Sequence, residues 1–311
     1  MCMFYSGRAR VLPGFFTPDM NIKLKVLTGA EGLLNKAIDR CTAALVSVRE
    51  QRYLEQFVSR ESDIYISTFL RSGTTWVQMI VYQLLTDGNM RFNHIYDVSP
   101  WLSNEAVLGH SADRVNALAS PRVFKSHDPY DKFDPNNKFR FIHVVRDGRD
   151  VALSLLHHRR NYNDVDESIT DVFNEFILPD SDYNWFGHTK EWMENRHGFN
   201  IIHVHYEDLL SDFENSVLRI AGFLNVKVSE RDMKRITERC SFEFMKKHED
   251  KFGEQQGIQR VYNQFIRKGV SGGGKDALSE EQNELFARCF HEQLYGLRNS
   301  VSQRESKELM F

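Results

Sequence analysis

The chain has 311 residues, 41% of them hydrophobic, which is enough apolar material for a core and fits one α/β domain with insertions. Its 40 basic and 43 acidic residues leave a net charge of −3, without the basic excess that a polyanion partner requires, so nucleic acid is excluded as the expected partner. The longest uncharged run, residues 72–86, is 15 residues long and falls short of the ~20 apolar residues of a membrane span. No sustained apolar core follows Arg8 and Arg10, so no secretory signal is read there. Cys2, Cys41, Cys240 and Cys289 lack zinc spacing and suit a reducing cytoplasm, the expected location.

In chain order, residues 1–60 read as an N-terminal helical, acceptor-side segment of the same domain that residues 61–295 build, and 296–311 as a polar tail. Ile64, Tyr65 and Ile66 form a short run suited to a buried parallel strand, bounded by Asp63 and the Ser72-Gly73 turn. Val77, Ile80, Val81, Leu84 and Leu85 then recur on one face of a helix. Between strand and helix, Arg71-Ser72-Gly73-Thr74-Thr75 places a guanidinium, hydroxyls and a permissive glycine where a helix start leaves unpaired N–H groups and a positive dipole end, so an anion belongs there. The loop has no GK[ST], the feature of a magnesium-nucleotide Walker A site, although a P-loop kinase remains an alternative with Asp147 as the nearest metal carboxylate.

Val123-Phe124-Lys125, residues 141–145 and residues 201–205 read as further strands. The second leads into a helix through Val151, Ala152, Leu155 and Leu156, and the third into one helix with Leu210, Phe213, Val217, Ile220, Ala221 and Leu224 on a single face. Ser229 caps the next helix, and Ser279 with Gln282 forms a capping box for the last. Alternating strands and helices predict a central parallel sheet flanked by helices, with ligands at the carboxyl ends of the strands, where Arg71, His127, Arg146 and Tyr206 all fall. Residues 248–275, containing Ser271-Gly272-Gly273-Gly274, read as a loop that orders over bound ligand.

Five segments resemble the cytosolic sulfotransferase family, over roughly residues 63–290. Arg71 with SGTTW (Ser72 to Trp76) is similar to the family's PKSGTTW; Ser120-Pro121-Arg122-Val123-Phe124-Lys125-Ser126-His127 to SPRxxKTH; RFIHVVRDGRDVALS, residues 140–154, to the strand, turn and helix that grip a 3′-phosphate; Phe265-Ile266-Arg267-Lys268-Gly269 to FMRKG; and Tyr206-Glu207-Asp208 with Cys240-Ser241-Phe242-Glu243-Phe244-Met245 to YED and TSFxxM. The resemblance implies sulfuryl transfer from 3′-phosphoadenosine 5′-phosphosulfate (PAPS), leaving 3′,5′-ADP, to a hydroxyl or amine of a small, partly apolar acceptor through a P-loop-like phosphosulfate-binding loop, with no metal. By it His127 is the general base, and Lys125, Arg71 and Ser154 complete the catalytic set. The cofactor lies on Arg71, Ser72, Gly73, Thr74, Thr75, Trp76, Arg146, Ser154, Tyr206, Cys240, Ser241, Phe242, Met245, Phe265, Arg267, Lys268 and Gly269, with Trp76 and Phe242 on the two faces of adenine. A catalytically silent nucleotide-binding protein is a further alternative, disfavoured because both Lys125 and His127 are present.

The departures carry expectations of their own. Arg71 stands where lysine is usual and offers a fork rather than a point charge. Gly272-Gly273-Gly274-Lys275 replaces a GDWK-like segment and loses its aromatic anchor, which should loosen the loop. A homodimer is compatible with the family, but Ser279-Glu280 replaces Thr-Val between Lys275 and Glu284 of its dimer motif. Cys240 replaces a threonine that meets adenine, and Asp128 after His127 reads either as an acidic pocket mouth favouring a cationic acceptor or as a solvated rim charge. Acceptor-pocket aromatics are sought in residues 1–53, 87–118 and 158–183, among them Phe92, Tyr96, Trp101, Tyr162 and Phe173.

Overall fold

The computed structural model describes residues 18–163, 166–253 and 265–294. Arg8 and Arg10, the tail 296–311, the side chain of Tyr162, and residues 254–264 of the expected closing loop lie outside them. The elements run α1 (Pro18–Gln56), β1 (Ile64–Thr68), α2 (Thr74–Leu85), α3 (Leu102–Val107), α4 (Asp113–Asn116), β2 (Val123–Ser126), β3 (Arg140–Val145), α5 (Gly148–Asn163), α6 (Ile169–Phe176) and α7 (Trp185–Glu194). Then come β4 (Asn200–His205), α8 (Tyr206–Ser211), α9 (Phe213–Phe223), α10 (Glu230–Arg239), α11 (Phe242–Lys247), α12 (Gly273–Ala277) and α13 (Glu280–Gln293). No described helix is long and apolar enough to cross a membrane.

By its contacts the chain divides into two units. In the first, residues 1–58 with 103–116, the Arg49 guanidinium donates to the Val107 carbonyl at 2.9 Å, and Asn116 bridges the Gln56 carbonyl and the Val58 N–H at 2.8 and 3.0 Å. These bonds tie the end of α1 to the segment holding α4.

In the second unit the described strands form one parallel sheet in the order β2-β1-β3-β4. Alternation across the pleat sorts its side chains into two layers. Ile64, Ile66, Ile142, Val144, Ile202 and Val204 join Val77, Ile80 and Val81 of α2 and Val217 and Ile220 of α9 in one core. Tyr65, Phe141 and His143 turn to the other layer, where Phe141 and His143 pack on Trp192 of α7. Both faces being covered, the strands carry almost no exposed residue.

Asp63 and Arg122 lock the amino ends of β1 and β2. Both are fully buried, and the guanidinium donates to the two carboxylate oxygens at 2.8 and 2.6 Å. The register pairs Ser67 with Ser126, Thr68 with Val144 and Val145 with His205, so the residues that follow each strand emerge along one edge.

The predicted capping box of Ser279 and Gln282 is present, and Ser229 caps α10 with Asp232 as its partner. The single helix expected after β4 is a correction. Asp212, at φ −145° and ψ 71°, breaks it into α8 and α9, and the change of phase buries Leu209 while leaving Leu210 exposed.

Candidate active site

The turn after β1 is shaped by two left-handed residues. Arg71 has φ 61°, a conformation costly for a residue with a Cβ, and Gly73 has φ 100°. A Cβ on Gly73 would sit 2.6 Å from the Tyr206 ring, so the turn packs on Tyr206 only as glycine. Gly73 leads into the N-terminus of α2, whose dipole and N–H groups favour an anion. Ser72 is buried with a hydroxyl that has no hydrogen-bond partner among the described residues. An orphaned buried hydroxyl is expensive unless a ligand completes it.

The Arg71 guanidinium donates through Nε to Ser154 Oγ at 3.2 Å and through Nη2 to the Phe265 carbonyl at 3.1 Å, and lies 4.8 Å from the Phe265 ring. Ser154 thus holds Arg71, and the same side chain ties the turn to the arm that begins at Phe265.

β2 ends in the reactive pair. The Lys125 N–H donates to the Pro100 carbonyl at 2.9 Å, while Nζ donates to Tyr96 Oη at 2.9 Å and lies 4.2 Å from the Trp101 ring centre. The buried amine thus has two aromatic faces and a hydroxyl as its neighbours. His127 places Nδ1 2.8 Å from the Thr68 carbonyl oxygen, with the Trp101 ring edge-on at 5.3 Å and Tyr183 Oη donating to the His127 carbonyl at 2.8 Å. Because a carbonyl only accepts, Nδ1 carries the proton and Nε2 is the basic nitrogen.

After β3, Arg146 lies 4.3 Å over the Tyr206 ring and donates to the carbonyls of Arg71 and Val270 at 3.2 and 3.1 Å. Its Nε is buried without a hydrogen-bond partner among the described residues. Burial, and then the positive charge of Arg146, push the Arg267 guanidinium below its ordinary value, the mark of two cations crowded together. Phe242 lies against Gly269, where a Cβ would be 2.5 Å from the ring. Trp76 stacks on Phe213 at 5.9 Å and donates through Nε1 to the Cys240 carbonyl at 2.8 Å. Ser241 caps α11 by accepting from the Phe244 N–H. Cys240 and Met245 are buried in the core, where burial raises the Cys240 thiol, so Cys240 meets Trp76 through its backbone.

Several residues singled out in the sequence have structural partners or surroundings of their own. Asp128 is engaged by Ser126 Oγ at 2.8 Å and Lys132 Nζ at 2.7 Å, so its charge is answered locally. Asp147 accepts from the Arg149 N–H at 2.8 Å and from its guanidinium at 2.6 Å, which uses that carboxylate in starting α5. Phe92 and Phe173 are core residues, whereas Tyr96 and Trp101 surround Lys125. The sequence reading missed Thr68, which orients His127, and missed Asp150 and Glu249. Thr68 closes β1, and Asp150 lies within the 140–154 segment one turn after Arg146, but no residue role there points to it.

The fold and site together make an α/β chain with a basic cluster at the carboxyl ends of its parallel strands. A family model for the sulfotransferase domain matches residues 61–298. An amine sulfotransferase of Oryctolagus cuniculus is 30% identical over 263 residues, covering 80% of this chain and 86% of that protein. Sulfotransferase 1B1 of Mus musculus is 29% identical over 257 residues, covering 78% and 86%. A solved structure of retinol dehydratase in complex with androsterone and the inactive cofactor PAP is 25% identical with a TM-score of 0.66, covering 79% of this chain and 86% of that one. The chain belongs to the sulfotransferase family. It is a PAPS-dependent sulfotransferase.

Proposed function

We infer that this enzyme moves the sulfuryl group of PAPS onto a hydroxyl or amine of a small, partly apolar acceptor, with His127 as general base and side-chain cations answering the developing charge. The observation that carries this reading is the meeting of Arg71, Lys125, His127 and Arg146 at the ends of three adjacent parallel strands. PAPS supplies the sulfuryl group when bound and leaves as 3′,5′-ADP.

Ser72, Thr74, Thr75 and the α2 N-terminus would hold the phosphosulfate, which accounts for the orphaned Ser72 hydroxyl. Arg146, Ser154, Arg267, Lys268 and the Gly269 N–H would hold the 3′-phosphate, which accounts for the unbonded Arg146 Nε. Trp76 and Phe242 would frame the adenine, Trp76 held by the Cys240 carbonyl, Phe242 starting the helix that Ser241 caps, Met245 in the core and Tyr206 supporting Gly73 and Arg146.

His127 accepts the acceptor's proton at Nε2. Its Nδ1–H stays on the Thr68 carbonyl, which keeps the ring in the basic tautomer. Lys125 Nζ and the Arg71 guanidinium stabilise charge at the bridging oxygen as the S–O bond breaks, by positioning and electrostatics as in phosphoryl transfer. Tyr96 and Trp101, against Lys125 and His127, give the acceptor side its aromatic character.

The test is a transfer assay with sulfur-labelled PAPS against panels of phenols, alcohols and amines. Labelled product that depends on His127 supports the reading, and no product from any acceptor class in a folded protein that binds 3′,5′-ADP removes it.

A further inference from the structure

The arm carrying Arg267, Lys268 and Gly269 is pinned at both ends by buried carboxylates. Upstream, Glu249 accepts from the Ile266 N–H at 2.5 Å and from Lys246 Nζ at 2.7 Å, while that same Nζ donates to the Ile266 carbonyl at 2.6 Å. Downstream, Asp150 on α5 accepts from Ser271 Oγ at 2.6 Å, the Gly272 N–H at 2.8 Å and the Gly274 N–H at 2.7 Å. Only residues 267–270 lie between the pins.

Close seating makes the downstream pin specific. A Cβ on Gly274 would fall 2.2 Å from the Arg149 carbonyl carbon and 2.4 Å from the Asp150 nitrogen, so α12 can rest on α5 there only as glycine. The glycine run that replaces the expected aromatic anchor is thus itself an anchor. In the described part of the arm, 265–274, where the loss of an aromatic anchor is expected to loosen the loop, a carboxylate takes three donors.

The charges explain why a pin is needed. Arg146 and Arg267 repel one another, and an untethered arm would relieve that repulsion by moving Arg267 into water. Asp150 lies 4.0 Å from Arg146 Nη2 and opposes the repulsion at Arg267. Burial pushes the Asp150 carboxyl up, but the bonds from Ser271, Gly272 and Gly274, with the charge of Arg146, outweigh it and hold it below the usual carboxylate range.

We propose that Asp150 is a positioning residue for the 3′-phosphate: through Ser271, Gly272 and Gly274 it holds the Arg267-Lys268-Gly269 arm beside Arg146 before the nucleotide arrives. This rests on the reading of Arg146 and Arg267 as 3′-phosphate ligands. Asp150 itself carries the wrong charge to touch the phosphate and acts on affinity by removing the ordering that binding would otherwise require.

The experiment is isothermal titration of wild type, Asp150→Ala, Asp150→Asn and Gly274→Ala with 3′,5′-ADP and with 5′-AMP, alongside melting temperatures and PAPS kinetics. Wild type should prefer the bisphosphate. Asp150→Ala should lose about tenfold or more of that preference with 5′-AMP binding unchanged, Asp150→Asn should regain part of it, and the kinetic loss should fall on KM for PAPS rather than kcat. Gly274→Ala, altering the other side of the contact, should show the same pattern; if Asp150→Ala fails to fold, Gly274→Ala and Ser271→Ala decide by the same ratio. A lowered melting temperature with both ligands weakened equally would reduce Asp150 to a stability residue and overturn the proposal. So would a preference undiminished in the variants. No preference in wild type would instead sink the 3′-phosphate reading beneath it.

Discussion

His127 rests its Nδ1 on the backbone carbonyl of Thr68 at 2.8 Å, with the Thr68 hydroxyl 3.1 Å from the same nitrogen. A hydroxyl can serve either tautomer, but a carbonyl can serve only the one protonated at Nδ1. The end of one strand thus sets the imidazole at the end of its neighbour, and Thr68 Oγ1 continues to Thr74 Oγ1 at 2.7 Å at the start of α2.

His127→Ala should lower turnover by at least ~10²-fold, the low end for a general base, while 3′,5′-ADP binding stays near wild type. Steady-state kinetics with a competent acceptor, together with titration of the bisphosphate, measure both. Turnover should also survive a metal chelator, since Lys125 and Arg71 supply the positive charge. Undiminished turnover in the variant, or loss of activity on chelation, would remove the mechanism.

Arg71→Lys should remain active and Arg71→Ala should lose kcat more than cofactor affinity, because the charge it answers develops mainly in the transition state. Lysine keeps the charge but cannot bond Ser154 and the Phe265 carbonyl together as the fork does. Equal kcat in Arg71→Ala would leave the residue a mere tie between turn and arm.

Arg146→Ala and Arg267→Ala should each remove a charge-assisted contact of ~1.5–3 kcal/mol and weaken 3′,5′-ADP by one to two orders of magnitude. Binding of 5′-AMP should hardly change. Wild type binding 5′-AMP or ATP as tightly as the bisphosphate would contradict the assignment of this cluster.

Acid should destabilise the fold well before its carboxylates titrate. His143 of β3, His203 of β4 and His188 of α7 lie together, with His143 Nδ1 3.0 Å from His203 Nδ1. Burial lowers all three, reinforced at His143 by His203, His188 and His205; His188 falls to about 3 and His203 to about 4. In the unfolded chain they protonate near pH 6.5, so below that pH the unfolded state binds protons that the native state refuses, and stability falls as pH falls from about 6.5 toward 4. Each histidine should contribute on the order of 1 kcal/mol of loss between about pH 6.5 and 5.5. The melting temperature should therefore drop over that interval, and the drop should shrink in His188→Phe; a flat profile would mean that the native state accommodates the protons.

Breaking the buried Asp63–Arg122 pair should be among the most damaging single changes away from the site. Arg122→Leu leaves an uncompensated carboxylate between the amino ends of β1 and β2 and should cost about 3–5 kcal/mol in denaturant unfolding. A loss below about 1 kcal/mol, the scale of an exposed pair, would show that water reaches Asp63.

The strand, turn and helix at residues 64–85, the strand-end placement of Arg71, His127, Arg146 and Tyr206, and the capping box at Ser279 were legible in the chain before it folded. Each is local: hydrophobic period, cap and turn chemistry are written within a few residues of where they act. The helix after β4 misled because its apolar period runs on across Asp212, and only backbone dihedrals reveal the break. Tertiary structure alone decided that Thr68 fixes the His127 tautomer, that Tyr96 and Trp101 enclose Lys125, and that Asp150 answers Ser271, Gly272 and Gly274. Thr68 and His127 are 59 positions apart and Asp150 and Gly274 are 124 apart, separations over which no pattern in the chain reports who will meet. Those partners are chosen by the register of parallel strands and by the close approach that a missing Cβ allows, and both exist only once the sheet and its helices have packed.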